Sequence, residues 1–173
     1  MKRLSQLGIS ALACAALGLA VYTLAHSQEN KTMQKEPLMA SHASGPFDVK
    51  ITPQKPDNKE AEAANVGRMS IDKQYHGDLE GTGKGEMLAA GDPRGSGAYV
   101  ALERVTGTLK GRSGSFVLHH TGIMTHGTPQ LTIEVVPDSG TAQLAGIAGK
   151  MTINIAKDGK HSYDFEYTLP GAQ

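Results

Sequence analysis

The chain has 173 residues with 17 basic and 17 acidic side chains, so its formal net charge is zero. This balance argues against electrostatic binding to nucleic acid or to an anionic membrane, because both need a surplus of Lys and Arg. The chain also has 21 glycines, no tryptophan and one cysteine, which argues against a disulfide-rich scaffold.

The first 27 residues have the layout of a secretory signal peptide. Lys2 and Arg3 form a basic start, an uncharged apolar stretch follows, and the small residues Ala25 and Ser27 precede a cleavage site. We predict cleavage after Ser27 and a periplasmic or secreted mature domain. Residues 7–25 are also long enough for an uncleaved transmembrane anchor, so membrane anchoring is the alternative.

Loss of the signal would also remove the only cysteine, Cys14. Of the 173 residues, 146 would remain, and without Lys2 and Arg3 they would have 15 basic and 17 acidic side chains, a net charge of minus two. The mature chain would have no disulfide and no thiolate metal site. A small sheet without a disulfide or a metal site is stable only if its edge strands are covered, which favours a closed or well-covered sheet.

The mature chain divides into a tether and one domain. Residues 28–44 are polar and have no apolar period, so we predict a disordered tether there. A β-domain over residues 45–169 follows. Its first strand is marked by Phe47, Val49 and Ile51, which alternate with polar residues.

The rest of the domain is predicted to be strand, apart from one short helix. Residues 59–64 are charged and Ala-rich, and they predict one or two helical turns capped by Asp57 or Asn58. Seven further strand-like runs follow, at residues 69–79, 83–90, 98–109, 115–124, 131–136, 150–156 and 162–169. The short connections between most of them fit hairpins, and parallel pairing would need crossovers that are not present. We therefore predict an all-β fold, an eight-stranded antiparallel barrel, with a two-sheet sandwich as the alternative.

The glycine-rich segment Gly81-Thr82-Gly83-Lys84-Gly85 invites comparison with a phosphate-binding loop. Such loops open a helix whose N-terminal N–H groups face the anion. Here Gly91 and Pro93 follow too soon to leave room for that helix. We expect a glycine-rich strand turn instead.

The most informative stretch for function is the strand over residues 98–109. Both of its faces mix apolar and charged residues, so the interior face must take in a charge, and such a charge must be paired, solvated or functional. Glu103 beside Tyr99 would form a polar spot inside a small barrel, where a desolvated carboxylate can serve proton transfer. Alternatively, Glu103 pairs with an arginine of a neighbouring strand, such as Arg112 or Arg68.

The histidines and the last strand give weaker evidence about function. His119 and His120 are adjacent in a strand and point to opposite faces, and His126 is too distant to join His120 at one metal ion. We therefore expect no metal site and no cofactor. The aromatic stripe over residues 163–169 fits ordinary core, with contact to an apolar ligand as the alternative.

Four motifs carry a resemblance to a known family. They are residues 77–83, 102–109, 111–122 and 138–147, and the likeness extends over residues 45–169. The chain closely resembles the uncharacterised bacterial family labelled domain of unknown function 3224. The resemblance implies an eight-stranded barrel similar to that of allene oxide cyclase, a plant enzyme that cyclises a fatty-acid epoxide in an apolar cavity. In many members the position of His119 holds Gln, whereas Glu103, Arg104 and His120 fit the usual pattern.

The sequence leaves three functional hypotheses. The first is an exported barrel that binds a small hydrophobic ligand, with Tyr99, Glu103 and His120 as its polar contacts. The second is an isomerase or cyclase of the allene oxide cyclase type, with Glu103 as the catalytic base or electrostatic stabiliser. The third is a structural or interaction protein whose barrel is filled. The oligomeric state is not predicted, and a membrane partner is expected only if the signal is uncleaved.

Overall fold

The computed structural model describes residues 39–64 and 66–171. The predicted signal peptide and most of the predicted tether lie outside these residues. Eight antiparallel strands close into a barrel in chain order, with β8 paired to β1. The strands are β1 Ser41–Gln54, β2 Gly67–Tyr75, β3 Leu79–Asp92, β4 Ser96–Leu109, β5 Arg112–Thr125, β6 Thr128–Val135, β7 Ala148–Ile155 and β8 His161–Thr168. The predicted barrel is confirmed, and the sandwich alternative is wrong.

The start of the first strand differs from the prediction, and the structure identifies which residue caps the helix. β1 begins at Ser41, so the last four residues of the predicted tether belong to the first strand. Helix α1 spans Lys59–Ala63, and Asn58 is its cap because the Asn58 side chain accepts a hydrogen bond from the Ala61 N–H at 2.8 Å. None of the described helices is long and apolar enough to cross a membrane.

One end of the barrel is closed by side chains. Alternation along each strand turns every second residue inward, and at this end the inward residues are large and apolar. The β6–β7 connection covers the end with a 3₁₀ turn at Ala142–Leu144, which buries Leu144. The buried residues of this closed half include Leu79, Val105, Leu109, Phe116, Leu144, Ile147, Phe165, Tyr167 and Leu169.

The opposite end is open. It is ringed by the β3–β4, β5–β6 and β7–β8 hairpins and by the connection that contains α1. Inward apolar side chains near this rim remain in contact with solvent, and Leu131 and Ile155 are 43% and 66% exposed. The barrel is therefore filled in one half and hollow in the other.

Candidate functional site

The site is centred on Glu103, which β4 directs into the barrel. Tyr99, Ala101, Glu103 and Val105 share the inward face of this strand, as the alternation predicts. Glu103 is 0% exposed. A carboxylate in this position must have partners, because burial of an isolated charge costs far more than a folded domain can offset.

Glycines on β3 make room for those partners. β3 lies between β2 and β4, and its inward positions opposite Lys73 and Glu103 are Gly83 and Gly85. A Cβ atom added at Gly83 would overlap Oε1 of Glu103. Because β3 offers no side chain here, groups from β2 and β4 meet directly across it.

Glu103 pairs with Lys73 and Tyr75 of β2. The Lys73 ammonium donates to Oε2 of Glu103 at 2.7 Å, and the Tyr75 hydroxyl donates to Oε1 at 2.8 Å. Lys73 also donates to the Tyr75 oxygen at 3.2 Å and lies 5.0 Å from the centre of the Phe47 ring. Both carboxylate oxygens of Glu103 are thus satisfied.

The expectation that Glu103 pairs with an arginine is wrong. Arg68 lies on the outer face of the barrel and binds Glu86 with two hydrogen bonds, at 2.9 and 2.8 Å. Arg112 donates to the carbonyl oxygen of Gly171 at 2.8 Å. Lys73 takes the role instead, because its position on β2 faces inward and the glycines of β3 leave the path to Glu103 open.

His120 completes the cluster from β5. Its Nε2 atom lies 3.1 Å from Oε2 of Glu103, and the residue is 3% exposed. The approach is off the line of a hydrogen bond, so Nε2 has no hydrogen-bond partner within residues 39–64 and 66–171. A buried polar atom without a partner is uncommon, and this one has almost no surface open to solvent.

The charges of the cluster follow from these contacts. Burial by itself raises the pKa of Glu103, but the adjacent His120 ring and the Lys73 ammonium outweigh it and hold the pKa below its usual value. Burial, together with the neighbouring Glu103 carboxylate, raises the pKa of Tyr75 far above its usual value. The cluster at neutral pH therefore contains an ionised Glu103 and a neutral Tyr75.

A cavity of about 300 Å³ lies above this cluster, toward the open end. Lys73, His120 and Tyr99 line it, and its remaining lining is mostly apolar: Phe47, Val49, Ile51, Ile71, Met87, Leu131, Ile153 and Ile155, with His161. Glu103 and Tyr75 are not among the lining residues. The Tyr99 ring lies against Gly122, where an added Cβ would overlap it. The polar floor of the cavity thus consists of the Lys73 ammonium and the His120 ring, with Glu103 behind them.

Comparisons with known proteins identify the family. A model of the family described as "Protein of unknown function (DUF3224)" matches residues 43–167. The chain belongs to this family. A DUF3224 protein of unknown function from Shewanella oneidensis MR-1, solved as a crystal structure, is 44% identical and similar at a TM-score of 0.69. The match covers 78% of this chain and all of that one. No curated protein matches.

The three candidate residues of this DUF3224 protein lie close to one another. Tyr99, Glu103 and His120 face the interior, and His120 meets Glu103, but Tyr99 is part of the cavity wall and makes no hydrogen bond to Glu103 in the described structure. Burial raises the pKa of Tyr99, and the Glu103 charge adds to this effect.

Sequence reasoning missed Lys73 and Tyr75. The available signal was the alternation Ile71, Lys73, Tyr75, which places a lysine on an otherwise apolar face. The predicted turn at Gly81-Thr82-Gly83-Lys84-Gly85 is wrong, because all five residues lie inside β3 and form no phosphate loop. The turn between β2 and β3 lies at residues 76–78. The inward glycines of β3 are what allow Lys73 to reach Glu103.

The remaining candidates lie elsewhere. His119 faces outward beside Thr121, and the aromatic stripe of β8 packs in the core, where Phe165 stacks on Phe116 with ring centres 5.6 Å apart. Among the described residues, no group of three or more His, Cys, Asp and Glu side chains converges as a metal site.

Proposed function

We propose that this DUF3224 protein is an exported barrel that binds a small hydrophobic ligand in the cavity above Lys73 and His120. The observation that carries the proposal is the contrast within the cavity, which has apolar walls and a polar floor. Ligand sites of this kind are mostly apolar, with a few polar groups that fix orientation, and they start at about 300 Å³.

The exposed apolar walls support this function. Leu131 and Ile155 point into the barrel, yet both remain substantially exposed at the open end. Burial of such surface stabilises a complex by about 25 cal/mol for each Å² removed from water. An apolar ligand would provide that burial, which the protein's own side chains do not complete.

An isomerase or cyclase is the second candidate, and the observation in its favour is the contact between Glu103 and His120. A carboxylate 3.1 Å from an imidazole can set the orientation of the ring toward a substrate. Since Glu103 does not line the cavity, His120 would contact the substrate and Glu103 would act through it. Turnover of an unsaturated epoxide that is lost in His120→Gln would support this candidate.

Native mass spectrometry of the protein purified from the periplasm tests the proposal. We expect an additional mass that is lost on denaturation. Leu131→Trp, which would fill the mouth of the cavity, should abolish the additional mass. Leu102→Trp, on the exposed outer face of β4, is the matched control and should retain it. The apo mass alone, in every preparation, would argue for a filled barrel or an interaction protein.

Mass spectrometry of both the periplasmic and the membrane fraction of the same cells tests export. Cleavage after Ser27 predicts an intact polypeptide that begins at Gln28, whereas an uncleaved anchor at residues 7–25 predicts the full-length mass in the membrane fraction.

A further inference from the structure

We infer that the cavity selects apolar molecules that end in a neutral oxygen acceptor, such as a ketone or an alcohol, over carboxylates and amines. The inference rests on the proposed ligand-binding function and adds the chemical class of the ligand's polar end. It is drawn from the donor that Lys73 presents and from the charge of the groups around it.

The floor of the cavity presents a hydrogen-bond donor, the Lys73 ammonium. An ammonium has three N–H groups, and Lys73 uses two of them on Glu103 and Tyr75. The third remains for a molecule in the cavity that Lys73 lines. An oxygen that accepts hydrogen bonds satisfies this floor, whereas an ammonium, which can only donate, does not.

The charges of Lys73 and Glu103 cancel each other. The Lys73 ammonium and the Glu103 carboxylate form a close pair, and both are almost completely buried. A ligand carboxylate at the floor would add a second negative charge with one positive charge to share, and a ligand ammonium would add an unmatched positive one. Either would lose its hydration without full compensation. A neutral oxygen loses much less.

The size of the cavity guides the choice of probe. A second hollow of about 260 Å³ shares Met87, Tyr99 and Leu131 with the first and extends along the open end. Ligand pockets of about 300–1,000 Å³ hold small molecules, so unbranched ten-carbon compounds are chosen as probes. Methyl octyl ketone is a suitable probe.

The test is a titration of the purified protein at neutral pH with five ligands of matched chain length. The ligands are methyl octyl ketone, decanol, decanoate, decylamine and decane, and calorimetry measures each affinity. We expect the ketone and the alcohol to bind at least about tenfold more tightly than decanoate and decylamine. Decane, which lacks the oxygen, should bind more weakly than the ketone.

The decisive variant is Glu103→Gln. Glu103 is covered by its neighbours and does not line the cavity, so the substitution keeps the lining and removes one negative charge. The floor then has a net positive charge from Lys73, and decanoate should become the preferred ligand. Glu134→Gln is the matched control, because Glu134 pairs with the exposed Lys150 on the outer face at 3.0 Å and should leave the preference unchanged.

A second variant covers the case in which Glu103→Gln does not fold. The double substitution Lys73→Met with Glu103→Gln removes both charges together, and replacement of a buried ion pair by neutral groups is often tolerated. In this variant the ketone should lose its advantage over decane.

The outcomes separate the inference from the proposed function. If none of the five ligands binds the native protein, the ligand-binding function itself fails for this class of molecule. If decane binds as tightly as the ketone, or decanoate binds more tightly than the ketone, ligand binding stands and the inference is overturned. An unchanged preference in a folded Glu103→Gln variant would overturn it as well.

Discussion

The two halves of the barrel share the same alternation of inward and outward residues, but their inward side chains have different roles. In the closed half, inward positions hold large apolar side chains such as Phe116 and Phe165, and these fill the interior. In the open half, inward positions such as Leu131 and Ile155 remain exposed. The layer of Lys73, Glu103 and His120 marks the boundary between the halves. The closed half provides the packing that stabilises the fold, which leaves the open half free to expose apolar surface and to bury charge.

Truncation of one apolar residue in each half should give the largest difference. Phe116→Ala removes a fully buried ring that stacks on Phe165, and we expect a loss of about 3–5 kcal/mol in the free energy of unfolding. Leu131→Ala at the rim should cost less than about 1 kcal/mol because much of the side chain is already exposed. Urea unfolding measures both values. Equal losses would contradict the division into two halves.

Removal of the cation at the boundary should be nearly as costly. Lys73→Met leaves the Glu103 carboxylate buried without its ion pair, which typically costs about 3–5 kcal/mol. Lys84→Met, whose lysine pairs with Asp72 on the exposed outer face, is the control and should change stability by about 1 kcal/mol or less. Thermal unfolding of the two variants gives the comparison, and a mild effect at Lys73 would show that the pair is not needed for folding.

A smaller loss of stability is expected when a side chain is added to β3 next to Glu103. Gly83→Ala would overlap the Glu103 carboxylate and force it to move, with a cost of about 1–3 kcal/mol and a change in ligand selectivity. Gly67→Ala is the control, because an added Cβ there makes only ordinary contact, 3.5 Å from the Ala89 oxygen. If both variants behave like the native protein in denaturation and titration, the glycine gap does not position Glu103.

The smallest effect is the pH dependence of stability. The folded-state pKa of Glu103 lies below its usual value of about 4.5, so its ionisation contributes stability above that pH, and this contribution is lost as the pH falls through the folded-state pKa. Denaturation between about pH 6 and 3 should show the native protein converging toward Glu103→Gln on acidification. Parallel curves for the two proteins would mean that Glu103 does not titrate in this way.

The sequence predicted the fold more completely than the site. Alternation gave eight strands and placed Tyr99, Glu103 and His120 on interior faces, because side-chain direction in a strand depends only on position. The alternation on β2 indicated an inward lysine, but its pairing with Glu103 was not predictable, since it depends on which strands are neighbours and on the register across β3. The interior glycines opposite Lys73 and Glu103 have a meaning only once that register is known.

The closure of the barrel has a consequence for its motions. Among the described residues, β6 and β7 pair only through Glu134 and Lys150, whereas β3 and β4 pair over their full length. Backbone groups with few inter-strand partners open at a low free-energy cost, so amide hydrogens at this seam should exchange with solvent earliest. Leu131 of β6 and Ile153 of β7 line the cavity on either side of the seam. A molecule could therefore enter through a transient lateral opening of the wall as well as through the rim, and its arrival should slow exchange in these two strands more than elsewhere.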